Sequence, residues 1–352
     1  MIFFVIIDHS LEIYLRPAGS FWERTSIPMF LVIMGFNMGL SFQRKNIDSL
    51  KSLYSWGYFK NKLWRYIVPF LIIYAISTLI GLIIFDFSFE ALLNNHFKPN
   101  WGYIKFLFIG MYPFTGPGNW FIPVIFQSIL FLPLLYKFYS KSPILTLILC
   151  YVLEFCAWLF LFFTFGDITS LKEWYNVIFL QITFFFYLSA VGLGMWFSKD
   201  HNIFSKRNLF LWILFALSLT YIIAYTFFDY RIKFIRSDYN LLFYPYSAFI
   251  FLVAMKLLPK KSTNIFTDII SVIGKSTYHI LLVQILYLGS LSAIFGDHYC
   301  TMISGVNRGD SLYCFLSLLN NWLICIPLGV LWWYGENKLR NLRHVRKFKR
   351  DS

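Results

Sequence analysis

Charged residues are scarce in this sequence of 352 residues. They make up 14% of it, and 58% of the residues are apolar, whereas soluble domains carry about 25% charged residues. No hydrophilic stretch is long enough to fold separately, so we predict a single domain over residues 1–352. The shortage of charge excludes an ordinary soluble fold and indicates an integral membrane protein.

Several motifs of known sites are also missing. The letters GKST at residues 274–277 resemble the end of a phosphate-binding loop, but Ile269 stands where that loop requires glycine. The five cysteines include no CxxC pair, so we expect no metal site, although Cys300 and Cys314 are candidates for a disulfide. Neither an HxxxxD acyltransferase motif nor a DxD glycosyltransferase motif occurs.

Long apolar runs are what the sequence has in abundance. Each run is continuous and long enough to cross about 30 Å of hydrocarbon, which predicts transmembrane helices rather than the alternating strands of a barrel. A shorter run at residues 1–7 shows no signal-peptide pattern, and we interpret it as part of an incomplete first helix. The fold class predicted is therefore all-α, a polytopic membrane helix bundle of about ten transmembrane helices. The nine full runs lie at 26–43, 66–86, 119–138, 143–165, 174–197, 208–228, 240–258, 268–295 and 315–335.

The 31 basic residues predict the orientation of these helices. When the C-terminus is placed in the cytosol and the spans alternate, 22 of the 31 fall on the cytosolic side, as the positive-inside rule requires of a plasma-membrane protein. The basic tail after residue 337 would then contact membrane lipid headgroups. Arg231, Lys233 and Arg236 fall outside, which suggests an acidic substrate. Because the charge is scattered over short loops, we expect no nucleic-acid partner.

Ionisable side chains within apolar segments are candidates for chemistry, since they are costly in lipid. We predict His9 as a general base, with Glu12 three residues later on the same helical face and Asp8 beside it; the alternative is an interfacial turn at a helix end. Glu154 either contacts substrate or makes an interhelical hydrogen bond. His279 resembles the base of membrane-bound O-acyltransferases, or it hydrogen-bonds to a neighbouring backbone group.

Four segments, in order, resemble the family 3 integral membrane acyltransferases, which O-acetylate surface polysaccharides. The resemblance depends on the set and its order, because each segment alone is weakly specific. Met34 stands where the family has serine, and Gln284 where it has histidine. The segments are IPMFLVIMGFNMGLSF at 27–42, FKNKLWRYIVPF at 59–70, GNWFIPVIFQSILFLPLL at 118–135 and GKSTYHILLVQ at 274–284.

This resemblance implies that acyl-CoA is the donor, a carbohydrate hydroxyl is the acceptor and no metal takes part. Cations at the cytosolic side would hold the phosphates of the donor, and His9 would take the acceptor proton. Asn119 and Trp120 would lie at an outer mouth, where Trp120 either stacks on a sugar or belongs to an interfacial aromatic belt. Tyr278 and Gln284 would line an inner cavity. The four donor-binding candidates are Arg44, Lys45, Lys62 and Arg65.

A transporter or flippase for an envelope glycan is the competing interpretation. Such proteins also combine ten or more helices with buried polar groups, but they often contain an internal repeat and discontinuous helices. We find neither pattern in this sequence, so the acyltransferase interpretation is preferred.

Overall fold

The structure, a computed structural model, confirms the all-α prediction for the part of the chain that it describes, in which no strand occurs. The described residues are 2–11, 21, 23–45, 49–91, 118–166, 183–199, 208–235, 239–258, 264–295 and 311–351. Within them, the side chains of residues 8–11, 23, 292, 293, 295, 311–315, 317 and 341–351 lie outside the description.

The described α-helices are numbered α1 to α12 in chain order. A π-helical segment, Leu63–Ile67, joins α4 to α5, and a 3-10 turn, Phe184–Tyr187, leads into α8. The helices are α1 Ile2–Leu11, α2 Glu23–Arg44, α3 Leu50–Leu53, α4 Trp56–Lys62, α5 Val68–Ile84, α6 Phe121–Lys141, α7 Pro143–Phe165, α8 Leu188–Lys199, α9 Leu209–Phe228, α10 Tyr244–Leu257, α11 Ile265–Phe295 and α12 Ser311–Asp351.

Six helical segments of the described chain are long and apolar enough to cross a membrane. Each overlaps a predicted apolar run, although Leu50–Ile84 begins 16 residues before the run at 66–86. Large apolar side chains such as Leu79, Ile83 and Phe163 face outwards with 62–80% of their surface exposed. Lipid is the solvent that such a surface requires. The chain is therefore a polytopic integral membrane protein. The segments are Arg24–Arg44, Leu50–Ile84, Phe121–Lys141, Pro143–Phe165, Leu209–Phe228 and Ile265–Leu291.

The predicted run at 240–258 forms a shorter helix than expected. A turn precedes Tyr244 and Pro245 occupies the first helical turn, so α10 has 14 residues and rises about 21 Å, less than the hydrocarbon thickness. In contrast, α12 continues beyond the predicted 315–335 to Asp351. Of the predicted run at 174–197, the structure describes residues from 183 onwards.

Helices α2 and α8 cross with their backbones in direct contact. Small residues permit it: a methyl group built on Gly35 would overlap the Val191 carbonyl, and one on Gly194 would overlap the Val32 carbonyl. Small residues at the contact between helices are typical of membrane helix pairs. They let the backbones approach closely, which maximises van der Waals contact where lipid offers no hydrophobic driving force. This crossing fixes α2, which forms one wall of the candidate site.

The opposite wall consists of α11 and α12, which pack antiparallel. Gly329 lies against Ile280, and the Asn320 amide donates to the Tyr287 hydroxyl at 3.0 Å. Helix α1 packs against this pair and against α2, and the Phe3 and Trp322 rings meet edge to face with centroids 5.3 Å apart. Together with the α4–α5 segment, these helices surround a cavity.

Candidate functional site

A cavity of about 730 Å³ lies between α1, α2, the α4–α5 segment, α11 and α12. This volume is in the range of small-molecule sites, roughly 300–1,000 Å³. The four cations of the lining and most of its apolar residues lie in different parts of the cavity, although Ile270 and Ile273 line it close to Lys275. The cations Lys62, Arg65, Lys275 and Arg340 line one part, and the apolar residues Ile2, Phe3, Phe30 and Ile33 line another.

Helix α2 sets this change of polarity. Phe30, Ile33 and Met34 line the cavity in its first half, and Asn37, Met38 and Ser41 follow one to two turns later. The Lys62 ammonium lies 2.8 Å from the Met38 sulfur, which places the cation beside the second half of α2. The cavity therefore has a basic, polar end and an apolar end.

The π-helical segment orients the cations at the basic end. A π-turn shifts the register of the backbone hydrogen bonds and leaves a carbonyl in need of another donor. Two side chains from the facing wall donate to this segment: the Tyr278 hydroxyl to the Tyr66 carbonyl at 2.9 Å, and Arg340 to the Trp64 carbonyl. Lys62 and Arg65 lie over the Tyr66 ring, 5.4 Å from its centroid in both cases.

A buried histidine and its acidic partner stand between the two ends. The Nε2 atom of His279 lies 2.7 Å from the Glu336 carboxylate, whose other oxygen accepts from Arg340. The His279 side chain is 7% exposed and packs edge to face against Trp332. The hydrogen bond to a backbone group, one of the two interpretations of His279 from the sequence, is therefore wrong. His279 pairs instead with a carboxylate on the neighbouring helix.

The predicted donor-binding residues divide into two groups. Lys62 and Arg65 line the cavity, as does Tyr278. Arg44 and Lys45 are exposed at the end of α2 and are not among the lining residues. Gln284 is fully buried in α11 and does not line this cavity either, in contrast to the prediction that it would.

The predicted catalytic group lies mostly outside the described residues. Asp8 and His9 belong to α1, whose course is described, but their side chains are not, and Glu12 lies outside the described ranges, as does Cys300. What the structure does place is the start of α1: Ile2 and Phe3 line the apolar end of the cavity. His9 follows Phe3 by six residues, about 9 Å along the helix axis.

The outer candidates lie in an aromatic cluster and do not line the cavity, although Trp120 packs against Phe121, whose ring meets that of the lining residue Phe30 at 5.1 Å. Trp120 stacks with Tyr187 and Tyr239, with ring centroids 6.0 and 5.5 Å apart, and Asn119 beside it is buried. In the segment that follows α9, Arg231 pairs with Asp229 at 2.9 Å and lies over the Tyr225 ring. The Trp120 ring is thus engaged with neighbouring aromatic rings.

Glu154 makes the interhelical hydrogen bonds that the sequence suggested. Its carboxylate is fully buried on α7 and accepts from the backbone N–H of Ser189 at 3.0 Å and from its hydroxyl at 2.6 Å, at the start of α8. An N–H in the first turn of a helix has no intrahelical partner. The Glu154 side chain is the acceptor for this N–H of Ser189.

Removing the side-chain carboxyl group of Glu154 is expected to lower the stability of the protein and to leave acyl transfer unchanged. Glu154→Leu leaves two Ser189 donors without their acceptor, and we expect a loss of about 1–2 kcal/mol, seen as a lower melting temperature in detergent. Glu154→Gln keeps an acceptor and should lose less. An unchanged melting temperature together with lost acyl transfer would instead assign Glu154 to the substrate.

Sequence reasoning missed the group formed by His279, Glu336 and Arg340. Both Glu336 and Arg340 follow the last predicted span; Arg340 was counted with the basic tail, and Glu336 was not considered. The predicted runs gave no signal for this pair, because His279 lies 11 residues inside the run at 268–295 and Glu336 follows the run at 315–335. Their contact depends on the extension of α12 beyond that run.

The sequence was also compared with known proteins. Residues 1–335 match the model of the family 3 acyltransferases, described as an acyltransferase domain. No curated protein and no solved structure matches the chain. The family match covers nearly the whole sequence and confirms the resemblance seen in its four segments.

Proposed function

The chain belongs to the family 3 acyltransferases, and on that basis we propose that it transfers an acyl group, acetyl in the simplest case, from acyl-CoA to a hydroxyl of an envelope or lipid-linked glycan. Membrane acyltransferase activity follows from the family. The donor, the acceptor and the residues with roles in the reaction are our proposal.

The single observation that supports acyl-CoA as donor is the polarity of the cavity. Acyl-CoA is anionic at its nucleotide end and carries its thioester at the other end. The cavity offers cations at one end and an apolar lining at the other. Guanidinium groups bind phosphate oxygens through two parallel hydrogen bonds, and lysines supply a further point charge. We therefore assign the phosphates to Lys62 and Arg65 and the acyl thioester to the apolar end.

The orientation in the membrane follows from the charge distribution. We propose that the basic end faces the cytosol, where acyl-CoA is made, and that α12 ends in the cytosol of a cell with this protein in its plasma membrane. The excess of basic residues on that side supports this orientation. The acceptor would then arrive from the opposite face.

His9 is our proposed general base. It would remove the proton from the acceptor hydroxyl as the oxygen attacks the thioester carbonyl; a C–O bond forms, the C–S bond breaks, and the proton passes to the departing CoA thiolate. Glu12 would orient the ring, and Asp8 would stand beside it. The position of α1 supports this role, because its first residues line the apolar end where the thioester would lie.

The acceptor side is proposed to include Asn119 and Trp120. Aromatic rings next to buried polar groups are common in carbohydrate sites, and the cluster of Trp120 with two tyrosines has this composition. Lys233 is exposed and carries positive charge on the same predicted side, whereas the charge of Arg231 is offset by Asp229. An acidic glycan is accordingly the preferred acceptor class.

Removal of one cation is expected to weaken donor binding. Arg65→Ala and Lys62→Ala each delete a charge-assisted contact to phosphate, and such contacts contribute about 1.5–3 kcal/mol. We expect the Kd for CoA to rise about 10- to 100-fold, measured by calorimetry on purified protein in detergent.

The matched control is Lys60→Ala, which removes an exposed charge from the same helix, and Lys60 does not line the cavity. Its Kd should stay within about threefold of wild type, because exposed charges are screened by salt. An equal loss of affinity in Lys60→Ala and Arg65→Ala would show that the effect arises from net charge and not from a contact with phosphate. Failure of the wild type to bind CoA would contradict the proposed donor site.

A further inference from the structure

Lys275 is a cation of the cavity that the proposed function leaves without a role. It lines the cavity from α11, and among the described residues its side chain has no hydrogen-bond, ion-pair or ring partner. Arg340, by contrast, donates to the Glu336 carboxylate and to the Trp64 carbonyl, so its charge is shared with an anion of the protein. The ammonium group of Lys275 is therefore available to an anionic ligand.

The position of Lys275 on α11 brings it close to the other cations of the basic end. Tyr278 follows it by three residues, on the same helical face, and donates to the Tyr66 carbonyl at 2.9 Å. The ring of Tyr66 lies beneath Lys62 and Arg65, with its centroid 5.4 Å from each charged group. The cavity thus has two centres of positive charge on facing walls: Lys62 with Arg65 on one, and Lys275 on the other.

The two centres differ in depth. Lys275 is exposed, and residues 276–282, which follow it, are buried, so Lys275 stands at the rim where α11 enters the bundle. The Lys62 side chain is half-buried, and its ammonium group lies 2.8 Å from the Met38 sulfur. Met38 follows the lining residue Met34 by one helical turn. Lys62 therefore reaches further towards the apolar end than Lys275 does.

Acyl-CoA carries its phosphates as two separate groups. A diphosphate joins the pantetheine arm to the ribose, and a single phosphate is attached at the 3′ position of that ribose. Along the molecule, the diphosphate lies nearer to the thioester and the 3′-phosphate lies further from it. A thioester at the apolar end therefore places the diphosphate at the inner centre of charge and the 3′-phosphate at the outer one.

We propose that Lys275 binds the 3′-phosphate of acyl-CoA, while Lys62 and Arg65 bind the diphosphate. This inference rests on the proposed function, because it assumes that acyl-CoA occupies the cavity. A phosphate monoester carries a charge of about −1.5 to −2 at pH 7, so a lysine at the rim is a suitable partner for it. The protein should consequently distinguish CoA from a molecule that has the same diphosphate and pantetheine arm but lacks the 3′-phosphate.

Dephospho-CoA differs from CoA only in the absence of the 3′-phosphate, and it tests this assignment. We expect the wild type to bind CoA about fivefold more tightly than dephospho-CoA, the upper end for an exposed ion pair. Lys275→Met should bind CoA about fivefold more weakly than the wild type and dephospho-CoA with unchanged affinity. Lys275→Arg keeps the charge and should keep the preference. The measurement is calorimetry in detergent at low ionic strength, where an exposed charge is least screened.

Two control variants show whether the effect is specific to Lys275. Arg65→Ala removes a diphosphate contact, so it should weaken the binding of CoA and dephospho-CoA by the same factor and keep the preference between them. Lys338→Met removes an exposed lysine of α12 that does not line the cavity. Its Kd values for both ligands should stay within about twofold of those of the wild type.

The outcomes separate this inference from the proposed function. If the wild type does not bind CoA, the proposed donor itself is wrong. If it binds CoA and dephospho-CoA equally well, the donor site stands and the assignment of the 3′-phosphate is overturned. If Lys275→Met keeps the fivefold preference, or binds both ligands more weakly by one factor, Lys275 is not the partner of the 3′-phosphate.

Discussion

Replacement of His9 by alanine is expected to reduce acyl transfer by a factor of about 10²–10⁴, the usual contribution of a general base. The acceptor hydroxyl would have to lose its proton to water during its attack on the thioester. Binding of CoA, which lacks the acyl group, should be unchanged, because the phosphate contacts that we assign lie on α4, the π-helical segment and α11. The measurement is the ester-linked acyl content of envelope glycans, by mass spectrometry, in a deletion strain that carries the variant.

His201→Ala is the control for this prediction. That histidine lies between two predicted spans, and its removal changes the same residue type without affecting a proposed role. Full ester content in the His201 variant and loss of ester in the His9 variant, at equal amounts of protein, would support His9 as the base. An intact ester in the His9→Ala strain would show that His9 is not the general base.

Gly194→Val is expected to unfold the protein or to destabilise it by about 3 kcal/mol or more, at the upper end of overpacking effects. A side chain at this position would overlap the carbonyl of Val32 and approach the backbone of Phe36 on α2. Backbone atoms cannot move aside as a flexible side chain can, so α2 and α8 would separate. We expect little monodisperse protein in detergent and a strongly lowered melting temperature.

Gly335→Val is the matched control because a side chain at that position on α12 would meet no atom within 4 Å. Valine has a somewhat higher helix propensity than glycine, so stability should remain within about 0.5 kcal/mol of wild type. If Gly194→Val were as stable as Gly335→Val, the close approach of α2 and α8 could not be a determinant of the fold.

The fold followed from the sequence wherever one apolar run makes one helix. The runs at 143–165 and 208–228 correspond to α7 and α9 within one residue at each end. Length and hydropathy are local properties, and backbone hydrogen bonds in lipid leave a helix little freedom. The run at 240–258 was less well predicted, because its first residues form a turn before Pro245.

The site was predicted only in part, because the sequence shows local charge but not the packing of distant helices. Lys62 and Arg65 were identified because cations at the end of an apolar run are visible locally, and the same argument included Arg44 and Lys45, which are exposed and do not line the cavity. Which face a cation occupies depends on helix rotation, which hydropathy does not determine. The pair of His279 and Glu336, 57 residues apart, requires knowledge of how α11 and α12 align.

The central claim is that this membrane protein moves an acyl group from CoA on its basic side to a glycan. The most direct test adds isotopically labelled acetyl-CoA to inverted membrane vesicles from a deletion strain, with and without the wild-type chain. We predict labelled acetyl ester on the glycan fraction of vesicles that contain the chain, and none in those that lack it. Equal labelling in both preparations, or labelling in neither, would contradict the account.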